Sequence, residues 1–249
     1  MKVSIVIPTH NRPAKLRSTL EKLRAQSFSA DEYEVVVVDD GSNPPVIIDP
    51  ELRSRPEVRI LRLEGEERSV ARNKGAKEAK GELLIFVDDD IETAPDFVSS
   101  HWAAHQEFSD ALAVGAIHLP EESQKTPFGR FRQRLEMDGI PRERGLVNDR
   151  NFCAAANASI KRDRFLQLGG FDTKITSAED QDFALRHSDQ SGRIVFLPEA
   201  RVIHQDNALS IREYCKRNEW GSRLMLPFYQ RYRDFPANLE REKINGSTH

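Results

Sequence analysis

The chain of 249 residues has only two cysteines, Cys153 and Cys215, far apart and outside any ligand-spaced cluster. That argues against a disulfide framework and fits a reducing compartment. No stretch approaches the ~20 consecutive apolar residues of a membrane span. The opening run VSIVI gives way at once to Pro8 and the polar residues 9–12, so it is shorter than the roughly 7–15 residues of a signal-peptide core. The cytoplasm is the expected location. Basic charge is not in excess either: 37 Lys and Arg against 40 Asp and Glu leave a net −3, which provides no global field to attract nucleic acid. No G-x-G-x-x-G and no P-loop follows the first apolar run, so the usual fingerprints for dinucleotides and triphosphates are missing. Neither an internal repeat nor a linker is visible.

What is present is an ordinary globular composition, 38% hydrophobic and 31% charged, in a chain near the upper limit for one core. The first half alternates. VSIVI (3–7), YEVVVVD (33–39), VRILRL (58–63), ELLIFV (82–87) and ALAVGAIHL (111–119) read as strands. Between them, Leu16, Leu20 and Leu23 recur at helical spacing behind Pro13, SVARNKGAKEAKG (69–81) reads as a helix closed by Gly81, and Pro95 opens a helix to about Phe108. Strands that are apolar on both faces, alternating with helices, predict an α/β fold with a mostly parallel, Rossmann-like sheet flanked by helices. Residues 120–150 carry charge and turn formers with little periodicity and read as a variable insert. Beyond them come a strand-like NFCAAANASI (151–160), helices at 162–172 and 178–187, two short strands RIVFLP and ARVIH, and a long amphipathic helical stretch at 209–232 with a break near Pro227.

Ligands of such sheets bind outside the carboxyl ends of the strands. Three polar clusters sit there: IPTHNR (7–12), Asp39-Asp40 and Asp88-Asp89-Asp90. In an extended segment residues two apart share a side, so Asp88 and Asp90 face one site and Asp89 points away. Two convergent carboxylates suit Mg²⁺ or Mn²⁺ shared with a substrate's phosphates; the bland alternative is a helix cap and an Asx turn. Asp40 can receive a base or ribose donor, or merely make the Asp-Gly turn. The acidic pair Glu179-Asp180 either supplies a general base or complements a helix dipole. His204 ends a strand, where a lone histidine is a metal ligand or a structural residue. Asn73 and Asn157 stand in small, apolar surroundings and say little alone.

Taken in order, SIVIPTHNR (4–12), VVVDDGS (36–42), ARNKG (71–75), LIFVDDD (84–90), GGFD with AEDQDFALR (169–186) and VIH (202–204) resemble the family 2 glycosyltransferases of the GT-A fold. The resemblance covers about 205 residues. It implies a metal-dependent, inverting transfer of one sugar from a nucleotide-diphosphosugar, a UDP-sugar being favoured, to a carbohydrate or lipid-linked acceptor in polysaccharide, glycolipid or other glycoconjugate synthesis. By that likeness Thr9, Asp40 and Arg72 hold the nucleoside, with Pro8 and Arg12 shaping the edge. Asp88 and Asp89 join the nucleotide site, Asp88 meeting the ribose or the metal's water shell. Asp90, with His204, binds Mn²⁺ or Mg²⁺. Asp180 is the catalytic base, and Asn157 and Glu179 are candidates for contacts to the acceptor or donor sugar. The domain reading is 1–205 for the transferase, divided into a nucleotide-binding half (1–118) and an acceptor half (119–205), with a C-terminal helical extension at 206–249.

Processive relatives carry Gln-x-x-Arg-Trp and membrane helices; here Gln230 and Arg233 have the spacing but Asp234 replaces the tryptophan, so a single addition per encounter is expected. Across 209–233 six basic residues outnumber two acidic ones, with Tyr214, Trp220, Phe228, Tyr229 and Tyr232 among them. Such a stretch packs on the sheet, lines the acceptor site, or lies on an anionic membrane at its inner face. Two rival functions stay open. A nucleotidyltransferase needs a Gly-rich loop after the first strand, which IPTHNR lacks. An inactive sugar-nucleotide-binding module would not need Asp90 and Asp180.

Overall fold

In the computed structural model, which describes residues 1–137, 139–205 and 210–232, the first strands emerge where the apolar runs predict them. They are β1 (Val3–Thr9), β2 (Tyr33–Asp40), β3 (Glu57–Leu63) and β4 (Leu83–Val87), all mutually parallel in the order β3-β2-β1-β4. Burial on both faces explains the Val, Ile and Leu runs of β1, β2 and β4; β3, at the sheet edge, is only partly buried and keeps Arg59 and Arg62. Helix α1 (Pro13–Arg24) opens on its proline and buries Leu16, Leu20 and Leu23 against this sheet. Helix α2 (Arg68–Glu78) covers the other face and stops before Gly81, with Ala79 already extended.

The second half departs from a simple parallel continuation. It comprises β5 (Ile91–Thr93), α3 (Phe97–Glu107), β6 (Ala111–His118), α4 (Pro127–Met137), β7 (Gly145–Leu146), β8 (Asn157–Lys161), α5 (Arg162–Gln167), α6 (Glu179–Asp189), β9 (Arg193–His204), α7 (Ile211–Leu224) and α8 (Leu226–Arg231). The sheet of nine strands runs β3-β2-β1-β4-β8-β6-β9-β5, with β7 on β9. Pairs β4·β8, β6·β8, β5·β9 and β7·β9 are antiparallel, while β6·β9 is parallel. The sheet is therefore parallel through β3-β2-β1-β4 and mixed beyond it. RIVFLP and ARVIH form one twelve-residue strand rather than two, since the chain stays extended across Pro198. The strand-like stretch 151–160 yields a strand only from Asn157. The expected insert at 120–150 instead contains α4, whose Phe128 ring meets Tyr214 of α7 at 5.4 Å.

Among the described residues no helix is long and apolar enough to cross a membrane. The C-terminal stretch breaks at Met225, one residue before the Leu226-Pro227 start of α8. It is less of an appendage than the sequence suggests: Phe228 is buried against Ile175 and Leu185. Arg233 and Asp234 lie outside the described residues.

Two interior features fix the packing on the two faces of the sheet. Gly75 lets α2 approach the sheet, because a Cβ there would sit 2.4 Å from Val6 Cγ1 and 3.1 Å from Val38 Cγ2. On the opposite side of β8 lies a buried polar chain. Asn157 Nδ2 donates to the carbonyls of Ala116 (3.1 Å) and Ala200 (2.7 Å). That orients its Oδ1 toward His101 Nε2, 3.0 Å away, which must carry the hydrogen. His101 Nδ1 then accepts from the Ser159 hydroxyl at 2.8 Å, and His105 Nε2 donates to the same oxygen at 2.9 Å. Asn157 is consequently a structural residue, not a sugar contact: it is fully buried and its hydrogen-bonding groups are used within the sheet.

Gly75→Ala is expected to lose stability although alanine is the better helix former by ~1 kcal/mol. Overpacking against Val6 costs ~1–3 kcal/mol, so the urea midpoint should fall; a rise would contradict the close approach. Burial, opposed by the Asn157 contact, pulls His101 down to about 4, and burial together with the neighbouring His101 takes His105 to about 3. A lowered imidazole value means the neutral ring persists as pH drops past 6.5. Histidine ¹H–¹³C spectra should show no step for either ring between pH 7.5 and 5, and an ordinary transition near 6.5 in both would mean that water reaches them.

Candidate active site

The carboxyl ends of β1, β2 and β4 open onto a cavity of about 530 Å³ lined by Pro8, Thr9, His10, Arg12, Asp40, Arg68, the three aspartates 88–90, His204 and Arg217. The acidic triplet is a turn after β4, not an extended continuation of it. The reason is topological. The chain reverses to form β5, which pairs with the end of β9 so that Ile91 faces His204, and the Gln205 amide donates to the Asp90 carbonyl at 2.7 Å. Thr19 of α1 braces the turn from below. Its hydroxyl lies 2.9 and 3.0 Å from the carbonyls of Asp89 and Ile91 and accepts from the Ile91 amide.

Each aspartate meets at least one cationic side chain, with Arg12 and His204 each serving two of them. Asp88, 21% exposed, accepts from Arg72 at 2.7 Å and lies 3.7 Å from His204 Nε2. Asp89 is buried and accepts from the Thr9 hydroxyl at 2.6 Å and from Arg12 at 3.3 Å. It does not point away from the neighbouring groups, as strand alternation predicted; it ties the β1 edge to the triplet. Asp90, also buried, accepts from Lys15 at 2.9 Å and Arg12 at 3.2 Å, with His204 Nε2 at 3.0 Å. Burial by itself would raise all three carboxylates. For Asp88 the charges of Arg72 and His204 outweigh it, and for Asp90 the contacts with His204 and Lys15 do, so both are held below the usual range. For Asp89 burial wins over Thr9 and Arg12, and its value is raised. His204 answers in the opposite sense: burial would lower it, but the two aspartates push it up to about 9.

The triplet's negative charge is thus met by cationic side chains from several elements. The set still fits a divalent metal. One atom each from Asp88, Asp90 and His204 lie within 4.8 Å of one another. Hard carboxylate oxygens with one imidazole nitrogen suit Mn²⁺ or Mg²⁺. Asp90 Oδ1 is buried and is matched with no hydrogen-bond donor among the described residues, and His204 Nε2 stands 3.0 Å from it.

The paired aspartates at the end of β2 divide the work. Asp39 is buried and structural, accepting from the amides of Ser42 and Val46, each at 3.0 Å, and from Arg62 at 2.6 Å. Asp40 lines the cavity and accepts from the Glu66 amide at 2.7 Å. Gly41, at φ +76°, makes this separation feasible, since a Cβ there would meet the Gly65 nitrogen at 2.7 Å.

A second, smaller cavity of about 170 Å³ adjoins the first and holds Asp180, Glu179, Arg72 and the small residues Ala154–Ala156. Asp180 accepts from the Ala155 amide at 3.1 Å and from the Gln181 amide at 2.8 Å. Burial, and then the charge of Glu179, push it up to about 6 against the opposing amides and Arg72, near the value a general base needs at neutral pH. Ala178 just before the pair is in the left-handed region at φ +65°, a conformation costing roughly 1–2 kcal/mol for a residue with a Cβ. It turns the chain into α6 so that Glu179 and Asp180 face the cavity.

The structure therefore brings together Pro8, Thr9, Arg12, Asp40, the triplet and His204 in one cavity, with Asp180 and Glu179 in the next. Arg72 differs from its expected role. Only 2% exposed, its guanidinium is spent on Asp88 (2.7 Å) and Glu179 (2.9 Å), so it links the two cavities from behind. The Thr9 hydroxyl and the Glu179 carboxylate are likewise engaged within the protein. Sequence reading missed Lys15, Thr19, Arg68, His10 and Arg217. Lys15 lies one helical turn beyond Arg12-Pro13, a legible signal; Arg217 arrives from α7, which no local pattern announces.

The model for "Glycosyl transferase family 2" matches residues 4–169. An uncharacterized glycosyltransferase of Haemophilus influenzae is 31% identical over 187 residues, 74% of this chain and 61% of that protein. The glucosyl-dolichyl phosphate glucuronosyltransferase of Haloferax volcanii is 28% identical over 236 residues, 88% of this chain and 72% of that one. The fold matches a mannosyltransferase from Pyrobaculum calidifontis, solved in complex with GDP-Man and Mn²⁺, at TM-score 0.64 and 20% identity, covering 94% of this chain and 64% of that chain.

Proposed function

The chain belongs to glycosyl transferase family 2, and from that premise we propose that it moves one sugar from a nucleotide-diphosphosugar to an acceptor hydroxyl with inversion at the anomeric carbon. The observation that carries this reading is the adjacency of the acid-rimmed cavity to a second cavity holding Asp180. Asp40 and the Pro8–Arg12 edge receive the nucleoside end. Asp88, Asp90 and His204 hold a Mn²⁺ or Mg²⁺ ion. When bound, that ion neutralises charge developing on the leaving diphosphate. Asp180 takes the acceptor proton as the hydroxyl attacks. One base opposite the leaving group gives inversion; a retaining enzyme with a covalent intermediate would need a carboxylate nucleophile beneath the sugar. Residues 119–205 form the acceptor half, since Asp180 and the Ala154–Ala156 wall belong to it.

A carbohydrate or a lipid-linked hydroxyl is the acceptor, and a bilayer contact fits the second. Helix α7 buries none of its residues. It exposes Trp220 (63%) and Ile211 (60%), and carries Arg212, Lys216 and Arg223. Neighbouring α4 exposes Phe131 and Leu135. Basic side chains with exposed aromatics suit an anionic interface.

Nucleotide release from a panel of UDP- and GDP-sugars with Mn²⁺ tests the reaction. Asp90→Ala and Asp180→Asn should each lower kcat by about 10²–10⁴-fold, and unimpaired turnover in both would remove the assigned roles. The base works only when ionised, so kcat/KM should climb as pH rises through about 6. A donor bound tightly with no product from any acceptor would favour the binding-module reading. Co-sedimentation should show binding to phosphatidylglycerol vesicles but not to phosphatidylcholine, weakened by salt and by Trp220→Ala; equal binding to both vesicles would dismiss the electrostatic contact.

A further inference from the structure

The two cavities share only two wall residues, Asp88 and Arg68. Resting on the proposed transfer, a donor whose nucleoside lies by Asp40 and whose anomeric carbon comes within reach of Asp180 must pass between them. The bond to be broken, from the anomeric carbon to a β-phosphate oxygen, then lies in this neck. Asp88 repels a phosphate and is already held by Arg72. Arg68 is different. It begins α2, is exposed, and among the described residues takes part in no hydrogen bond or ion pair. Arg12, Lys15 and Arg72, the other cations around the triplet, are each bound to an aspartate. Arg217 borders the larger cavity and not the smaller one, so it does not stand at the neck.

We infer that Arg68 is a substrate-contact residue that grips the β-phosphate of the donor and of the leaving nucleoside diphosphate. In the transfer the carbon–oxygen bond to the β-phosphate breaks and its electron pair stays on the phosphate oxygen. The acceptor oxygen forms the new bond to the same carbon, and its proton passes to Asp180. The charge left on the β-phosphate falls beside a guanidinium at the neck that feels the charge of Asp88 but, among the described residues, is held by no hydrogen bond or ion pair. A planar guanidinium is also the side chain best matched to two phosphate oxygens.

The test separates the β-phosphate from the rest of the nucleotide. Wild type and Arg68→Gln are titrated calorimetrically with UDP, UMP, GDP and GMP, with and without Mn²⁺. A charge-assisted contact at an accessible site predicts that Arg68→Gln weakens the preferred diphosphate about tenfold, from ~1.5 kcal/mol. The matching monophosphate should bind as before, which also certifies the variant's fold. Equal diphosphate affinity in both proteins would overturn the role of Arg68 and leave the transferase reading standing. A parallel loss of mono- and diphosphate would also overturn it, placing Arg68 at the nucleoside or in the scaffold. No nucleotide binding by wild type would refute the proposed function itself, and this inference with it.

Discussion

Three adjacent carboxylates, Asp88, Asp89 and Asp90, crowd the end of a buried strand, and most of the site's architecture follows from keeping them there. Bare, they would repel one another in a setting where burial already disfavours charge. The fold answers with a separate partner for each: Arg72 from α2, Thr9 and Arg12 from the edge of β1, Lys15 from α1, and His204 from the far end of β9. Four distant segments are thereby pinned to one turn. The turn's backbone is secured independently by Thr19 and by the Gln205 amide, so its position does not depend on the charges alone.

This distribution gives chemically similar residues different work. Asp39 knits the β2 turn while Asp40 faces the cavity. Asp89 is fastened to Thr9, leaving Asp88 and Asp90 to converge on His204. The same division recurs in the first turn of α6. Glu179 is spent on Arg72, Asp180 looks into the smaller cavity, and Asp182 is fully buried and accepts from Arg231 at 2.8 Å and from the Tyr232 hydroxyl at 2.8 Å. The helix bearing Asp180 is thus clamped from one side by Arg72 and from the other by the end of α8. Because Arg72 bridges Asp88 and Glu179, the two cavities share one electrostatic unit, and a charge change in either is felt in the other.

Much of the first half was legible in the linear chain. β-Branched runs of buried-strand length and leucines at helical spacing announce the β3-β2-β1-β4 sheet and α1, because burial on both faces of a parallel sheet imposes composition directly. The strand-end rule points to the rim where Thr9, Asp40 and the aspartate triplet line the larger cavity. Alternation failed for Asp89, since the residues after β4 turn instead of staying extended. Asn157 misled for another reason: an asparagine among alanines looks functional, yet here it satisfies Ala116, Ala200 and His101 inside the sheet. The α4 segment escaped notice because Phe128 packs on Tyr214 of α7, a distant part of the chain, while Phe131 and Leu135 stay exposed, and local periodicity carries no record of that partner.

The sequence by itself determined the strands, the polar rim at their carboxyl ends, and the order of motifs that places the chain in its family, because each depends on neighbours a few residues away. Which aspartates face the cavity, that Arg72 works from behind, that His204 returns to Asp90, and that Arg68 stands between two cavities were decided by tertiary structure. Those outcomes depend on where β9 runs and how α6 is clamped, and they are set by contacts between residues tens to more than a hundred positions apart, which no local pattern encodes.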